Sequence, residues 1–537
     1  MDRYKPALAV GSGGLTLAPG DSAMQILSLG DLSIERISDP GRGETVRSAF
    51  RQADGTLSPF GGSSWFSLWT AASAIDLFSA GGNLLPFRNQ RVDNDGLMVL
   101  PSQLGAVAAG GSIYYQGDAV LAPGARGRLD LLAVDSIYGG GKQISRSGAA
   151  PSAIASLYQP GFLGWIPNEY DLPKEGPTSL SPDGSQGEGV LFAFGPGSTA
   201  IAGTTSPSRF YAMEGDLVGL SSGRQIRFGT DISPTGRQWQ IGHGPVRMLA
   251  GRDIVGSGSL LGSVNSFSGA VPYTYTDNLF LHGDAHDVST VRAGRDILYG
   301  NFTVGGPGTL EISAGRNILM EGQAAVISLG PILAGDARPG ASIVMQAGLG
   351  TAGADYAGFL KRYLDGSRVA DPARPLTDQG MPFKTYEAEL LLWLTQAYGF
   401  AGSTADARAY FDALPPEQQR IFARQVYFAE LRAGGREYGD KASPRVGSYL
   451  RGRQAIAALF PGQDAPYQGA ITLYGAGGIQ SRNGGDIQVL TPGGAQVYGV
   501  EGVAPPASAG VVTQGSGNIQ LYACLLYTSG WWPGPAA

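Results

Sequence analysis

The sequence predicts an all-β fold, a right-handed parallel β-helix with about 21 residues per coil and an α-helical insertion, on three observations. A short phrase recurs as Ala250, Gly251, Arg252, Asp253, Ile254, as Ala293, Gly294, Arg295, Asp296, Ile297 and as Ala314, Gly315, Arg316, Asn317, Ile318. Gly251 to Gly294 is 43 residues and Gly294 to Gly315 is 21, so the first step reads as two coils of the second kind. The flanks alternate apolar and polar, as in Leu310, Glu311, Ile312, Ser313, Ala314, which is the period of a half-buried strand. Finally, 84 glycines with only 15% charged residues suit a turn-rich β protein, and 43% hydrophobic residues suffice for a large core.

Superposing the two nearest copies sets Val291 over Ile312, Ala293 over Ala314 and Ile297 over Ile318, with Arg295 over Arg316 and Asp296 over Asn317 at a turn. Glycine suits such a turn through positive φ, and Asx residues tolerate it while hydrogen-bonding nearby backbone. Three short strands and three turns fill a coil, and stacked coils align the turns into columns. Weaker echoes run from Ala7–Gly11 and Ile26–Leu32 through Leu129–Ile137 and Ala212–Leu217 to Gly469–Ile479, Gly484–Pro492 and Gly517–Leu521. They assign residues 1–354 and 462–523 to the β-helix, and ten or more coils make a rod about 50 Å long or more.

Two stretches break the rhythm. Residues 158–208 are rich in Pro, Gly and Ser and read as loop excursions. Residues 355–461 take helical spacing in three runs: Leu390, Leu391, Leu394, Tyr398; then Leu414 to a stop at Gly434 and Gly435; then Tyr449 to Phe460 before Pro461. The start, Met1 to Lys5, lacks a signal-peptide apolar core and reads as internal to a longer protein. Residues 524–537 lose all periodicity; Cys524, Leu525, Leu526, Tyr527, Thr528, Ser529 resembles a translated sequencing adaptor, so this tail reads as non-native. The remaining sequence then holds no cysteine, as suits export through an oxidising compartment.

A net charge of −6 argues against a basic nucleic-acid face, and no apolar run reaches the ~18 residues of a membrane helix. Arg252, Arg295 and Arg316 read as a solvated column beside Asp253, Asp296 and Asn317, which compensate its charge. His282, Asp284, His286 and Asp287 could gather a metal, but the stretch reads as a polar solvent loop. Asp21 with Ser22 and the Gly256, Ser257, Gly258, Ser259 run lack a nucleophile elbow, and Gly11, Ser12, Gly13, Gly14 reads as a turn. Asp253 and Asp296 repeat one turn position, with Asn317 above them, which suits a structural column rather than a tuned acid pair. Glu387, Glu389, Glu417, Glu430 and Glu437 read as solvated helix faces. Catalytic, cofactor and metal residues are therefore all assigned as none, and the chain is read as no enzyme.

The turn phrases resemble those of filamentous-haemagglutinin-like exoproteins of the two-partner secretion pathway. The run Leu414 to Gln419, then Phe428 to Glu437, Tyr449 to Gly452, Leu459 to Gly462 and Gly484 to Ile487 is similar to a C-terminal domain of unknown function in that family. The resemblance implies a secreted or surface-displayed passenger exported through an outer-membrane β-barrel transporter, although the family's N-terminal secretion domain is not in this sequence. It implies a stalk and display region of an adhesin-like exoprotein, with a host-cell, glycan or bacterial-surface ligand. The alternatives are a β-helical polysaccharide lyase or glycosidase and a contact-dependent toxin passenger. No Arg-Gly-Asp triplet supports integrin binding.

Overall fold

The computed structural model describes residues 15–37, 39–40, 64–65, 68–88, 98–117, 119–122, 124–147, 161–162, 206–227, 238–241, 244–257, 275–320, 325–331, 336–350, 353–371, 379, 381–462, 467–474, 478–499 and 510–528. They form a parallel β-helix with a helical insertion. Eleven strands stack in a first ladder: Ala23–Ser28, Ala74–Ser79, Gln103–Ala108, Arg128–Ala133, Ser208–Ala212, Val246–Ala250, Val288–Ala293, Thr309–Ala314, Ser342–Gln346, Ile487–Gly499 and Ile519–Thr528, each parallel to the next. Numbered as rungs 1 to 11, they make a shaft about 48 Å long at the usual strand spacing. A second ladder includes Ile254–Val255, Ile297–Leu298, Ile318–Met320 and Ile471–Tyr474. A third closes the coil, as in Leu279–Leu281, Phe302–Gly305, Val326–Ser328 and Gly478–Ser481.

The alternation in each strand becomes an inside and an outside. In the first ladder Leu77, Ala106, Leu131, Phe210, Met248, Val291, Ile312, Met345 and Val489 fall in register down the interior, and none is more than 1% exposed. The expected pairs Val291 with Ile312, Ala293 with Ala314 and Ile297 with Ile318 are the observed ones. A slip of one residue would turn each strand's apolar set outward, so burial fixes the register.

Two expectations about the coil need correction. The 43-residue step is one coil, because Ala250 pairs directly with Ala293. Its extra length leaves between Ile254–Val255 and Leu279–Leu281, where Tyr275–Asp277 joins Arg224–Arg227 and Gln238–Ile241 in an antiparallel side sheet. The 21-residue step from Ala293 to Ala314 is the shortest coil of the first ladder, and the others carry excursions. The turn glycines, moreover, do not serve positive φ: Gly251, Gly294 and Gly315 are not left-handed. Their reason is proximity. A Cβ at Gly294 would lie 2.1 Å from the Gly251 carbonyl oxygen, and one at Gly315 would lie 2.0 Å from that of Gly294.

The connection from first to second ladder is three or four residues long in rungs 1 to 8. In rung 9 it is 124 residues, from Gln346 to Ile471, and carries the helices. The chain leaves and re-enters at one point, for a Cβ at Gly348 would sit 2.9 Å from the Gly469 amide nitrogen. Among the described residues five α-helices lie between, rather than three: α1 Tyr356–Tyr363, α2 Glu387–Tyr398, α3 Thr404–Asp412, α4 Pro416–Gly439 and α5 Leu450–Leu459. The short α1 and α3 are the additional two, and each starts on a side-chain cap, Asp355 on the Gly358 N–H and a Ser403/Asp406 capping box. Proline at the start of α4 is as expected, yet the helix runs through Gly434 and Gly435. Gly434 is where α5 crosses closely: a Cβ there would lie 2.8 Å from the Gly452 nitrogen.

Residues 163–205, the bulk of the expected loop excursion, and the Gly11–Gly14 turn lie outside the described residues. The last strand continues past 523 to Thr528, its backbone pairing Leu525 to Thr528 with Ala495 to Tyr498. Ladder hydrogen bonds are backbone bonds, so they form without the apolar alternation missing from that stretch.

Candidate functional site

Three polar arrangements stand out, and the first is the turn column. The Asp31 carboxylate accepts the Asn83 N–H at 2.7 Å, and the Asn83 side-chain oxygen accepts the Ser112 N–H at 3.0 Å. Ser112 then takes the Ser136 N–H at 3.2 Å and Ser136 the Asp216 N–H at 3.0 Å. Asp216, Asp253 and Asp296 accept the N–H of Asp253, Asp296 and Asn317 at 2.9, 3.0 and 3.0 Å, and Asn317 accepts that of Ala470 at 3.0 Å. Each acceptor thus satisfies the backbone donor one rung on. The arginines lean back onto the same acids: Arg252 on Asp216, Arg295 on Asp253, Arg316 on Asp296. Burial would raise the Asp253 carboxyl, but the bonds from Arg295 and the Asp296 N–H, with the charges of Arg295 and Arg316, hold it below its ordinary value. Asp253 and Asp296 are 9% and 8% exposed, so at these two turns the acids are inner and the arginines beside them are solvated, whereas Asp31 at the start of the column is exposed. Each acid is engaged along the rod axis and holds the turns together.

The second arrangement is the His282 to Asp287 stretch, which is not the solvent loop expected. His282 is 1% exposed; its Nδ1–H donates to the Pro307 carbonyl at 2.8 Å and its Nε2 accepts from Ser289 Oγ at 2.7 Å. Both contacts suit a neutral ring, and burial depresses its pKa to about 4. Asp287 is 3% exposed and accepts the N–H groups of Gly283 and Asp284 at 3.0 Å each, while burial pushes its carboxyl up to about 6. His286 turns the other way. Its Nδ1 meets Asp284 at 2.6 Å, its Nε2 meets the Ala397 carbonyl at the end of α2 at 2.8 Å, and its ring stacks on Tyr398 at 4.2 Å. The four residues therefore separate into a core pair and a strap onto the helices. No cluster of three or more metal-ligating side chains occurs among the described residues.

The third arrangement, which sequence reasoning missed, fixes the helical insertion to the shaft. Glu311 points outward from rung 8 and accepts from Arg420 at 2.6 and 3.0 Å and from Arg424, itself 1% exposed. Burial would raise the Glu311 carboxyl, and the charges and hydrogen bonds of Arg424 and Arg420 bring it below the ordinary range. Arg424 also donates to Gln488 on rung 10 at 3.0 Å, and Glu417 pairs with Arg247 on rung 6. Helix α4 thereby spans several rungs, while Leu349, Tyr467, Leu490 and Tyr522 join the apolar core of the helices. Within that unit Glu430 is 1% exposed, held by Arg451 at 2.6 and 2.8 Å and by the Tyr386 hydroxyl. Glu437 binds Arg445 at 2.6 and 2.9 Å. Reading Glu430, Glu437 and Glu417 as solvated faces is thus corrected: they are the counter-charges of arginines. The i, i+4 spacing of Arg420 and Arg424 is the signal in the sequence, since like charges so placed repel mildly and an acid facing both removes that cost.

Among the remaining stretches, Asp21 binds the Thr70 hydroxyl at 2.5 Å, and Ser257 is a buried core hydroxyl donating to the Leu220 carbonyl at 3.2 Å. Glu389 pairs with Lys384 at the exposed start of α2. Among the described residues, no helix is long and apolar enough to cross a membrane. Compared with protein-family models, curated proteins and solved structures, the chain matches none.

Proposed function

We propose that this chain is the rigid stalk and display region of a large secreted, adhesin-like exoprotein of the filamentous-haemagglutinin type, exported through an outer-membrane β-barrel transporter. One observation carries the reading: an eleven-rung stack bears its excursions and a folded helical unit on the outside, without a break in the ladder. A shaft of this kind places outer segments at fixed distances along an axis, so several weak contacts add as avidity. The turn column favours a mechanical role, because its acids are engaged between rungs. The surface ligand is then a glycan or protein of a host or neighbouring cell. The test is attachment of beads coated with the protein to cells and to glycan arrays, with and without residues 349–468, whose flanking Gly348 and Gly469 are adjacent. Attachment independent of enzymatic turnover is expected. Depolymerisation of a polysaccharide, lost on replacing an outward carboxylate, would refute the proposal.

A further inference from the structure

The contact between the His286 ring and helix α2 fixes a proton count. Asp284 lies 2.6 Å from Nδ1 and the Ala397 carbonyl oxygen 2.8 Å from Nε2. Burial would raise the Asp284 carboxyl, but the hydrogen bonds from the His286 backbone and ring, with the charges of His286 and Arg338, hold it below its ordinary value. It is therefore a carboxylate, which accepts only, as a carbonyl does. A neutral imidazole has one N–H and serves one of these partners, whereas an imidazolium has two and serves both. The helix favours the same charge. Ala397 lies in the last turn of α2, among the carbonyls left without a partner inside the helix, where the macrodipole is negative. That turn has no basic residue of its own, so the cation comes from the shaft. The Tyr398 ring, stacked on His286 at 4.2 Å, offers its face to the same charge.

We propose that His286 is a proton-operated latch between shaft and helical unit: its imidazolium clamps the end of α2 to the corner before rung 7, and loss of one proton opens the clamp. The sign follows from the donor count. The clamp is complete while the ring is charged, and as pH rises the neutral ring gives up either the carboxylate or the carbonyl. The other groups around the ring have their own partners. Arg338 donates to the Gly283 carbonyl at 3.1 Å and pairs with Asp336 at 2.8 and 2.9 Å. Asp287, raised by burial to about 6, accepts the Gly283 and Asp284 N–H groups on the core side. Burial, with Tyr410 and Asp284, pushes the Tyr398 phenol up, so it stays protonated and donates to Gln418 of α4 at 3.1 Å. Gln418 in turn donates to the His286 carbonyl at 3.1 Å, whatever the charge on the ring. Helix α4 does not follow the latch, because Arg420 and Arg424 hold it to Glu311, whose carboxyl stays ionised. The movable part is the α2–α3 edge, where Tyr398, Tyr410 and Phe400 pack together.

The full chain has 3 histidines, so its ring ¹⁵N resonances can be assigned by single His→Gln variants. Spectra taken between about pH 5 and 8, where histidines ordinarily change charge, should show both His286 nitrogens protonated at the acid end and His282 neutral throughout. Amide exchange of residues 394–399, corrected for intrinsic rates at each pH, should be slowest there. It should quicken roughly tenfold as the His286 proton leaves, the worth of one charge-assisted hydrogen bond at a helix end. His286→Gln should abolish that pH dependence and leave the protection of α4 unchanged. Asp287→Asn should retain it, which separates the latch from the neighbouring carboxyl. A neutral His286 ring at a pH where the end of α2 is fully protected overturns the proposal. So does a pH dependence that persists in His286→Gln or disappears in Asp287→Asn.

Discussion

Asp287→Asn should change the pH dependence of local stability with a sign and size set by two buried neighbours. In the folded chain His282 titrates near 4 instead of 6.5, and Asp287 near 6 instead of 3.8. For His282 the depressed value means the unfolded chain binds the proton first. Its stabilising contribution is full above pH 6.5 and falls away toward pH 4, by about 3 kcal/mol. For Asp287 the raised value means the folded chain binds the proton first, so falling pH through 6 toward 3.8 restores about 3 kcal/mol. In the wild type the two nearly cancel across the same window. Asparagine keeps an acceptor for the Gly283 and Asp284 N–H groups and removes the titration. The variant should therefore be more stable than wild type by up to about 3 kcal/mol at pH 7 and level with it near pH 4. Amide exchange of the strand Val288–Ala293, corrected for intrinsic rates at each pH, reads the difference. A stability gap that does not vary with pH would refute the reasoning, because acids elsewhere titrate alike in both proteins.

Other substitutions test the docking and the crossings. Glu311→Ala strands the Arg424 guanidinium in a buried site and should loosen α4 by roughly 3 to 5 kcal/mol, seen as lost exchange protection of that helix. Glu311→Leu with Arg424→Met should recover most of it. Neighbouring glycines of α4 should respond with opposite signs: Gly434→Ala meets the α5 backbone and costs about 1 to 3 kcal/mol, whereas Gly435→Ala meets open space and gains up to about 1 kcal/mol in thermal melts. Gly294→Ala should push rungs 6 and 7 apart and cost at least as much as Gly434→Ala, read in the same melts.

The architecture was legible because a two-residue alternation and a recurring turn leave few folds open. Val291 and Ile312 align in the sequence for the reason they touch in the structure: both occupy one interior column. The coil count across 43 residues was not legible, since a second coil and an excursion have the same length and differ only in hydrogen-bonding partner. Glycine's role at the turn was hidden for a similar cause. Whether it serves φ or proximity depends on the neighbouring rung, and no single turn shows its neighbour. The burial of Glu430, Glu311 and Asp287 comes from partners 21, 113 and 4 residues away, and only the last is within reach of local pattern.

The doorway at Gly348 and Gly469 has a kinetic meaning. A solenoid grows by adding rungs to an existing end, and rungs 1 to 8 each turn their first corner within three or four residues. Rung 9 must instead bring Gln346 and Ile471 together across 124 residues. Closing that length as a disordered loop costs about 3 kcal/mol more than closing a three-residue turn. A helical unit that folds first and holds its own ends together removes the cost. Growth of the shaft should therefore pause at rung 9 until the helices are complete, making the insertion a checkpoint that licenses the last rungs.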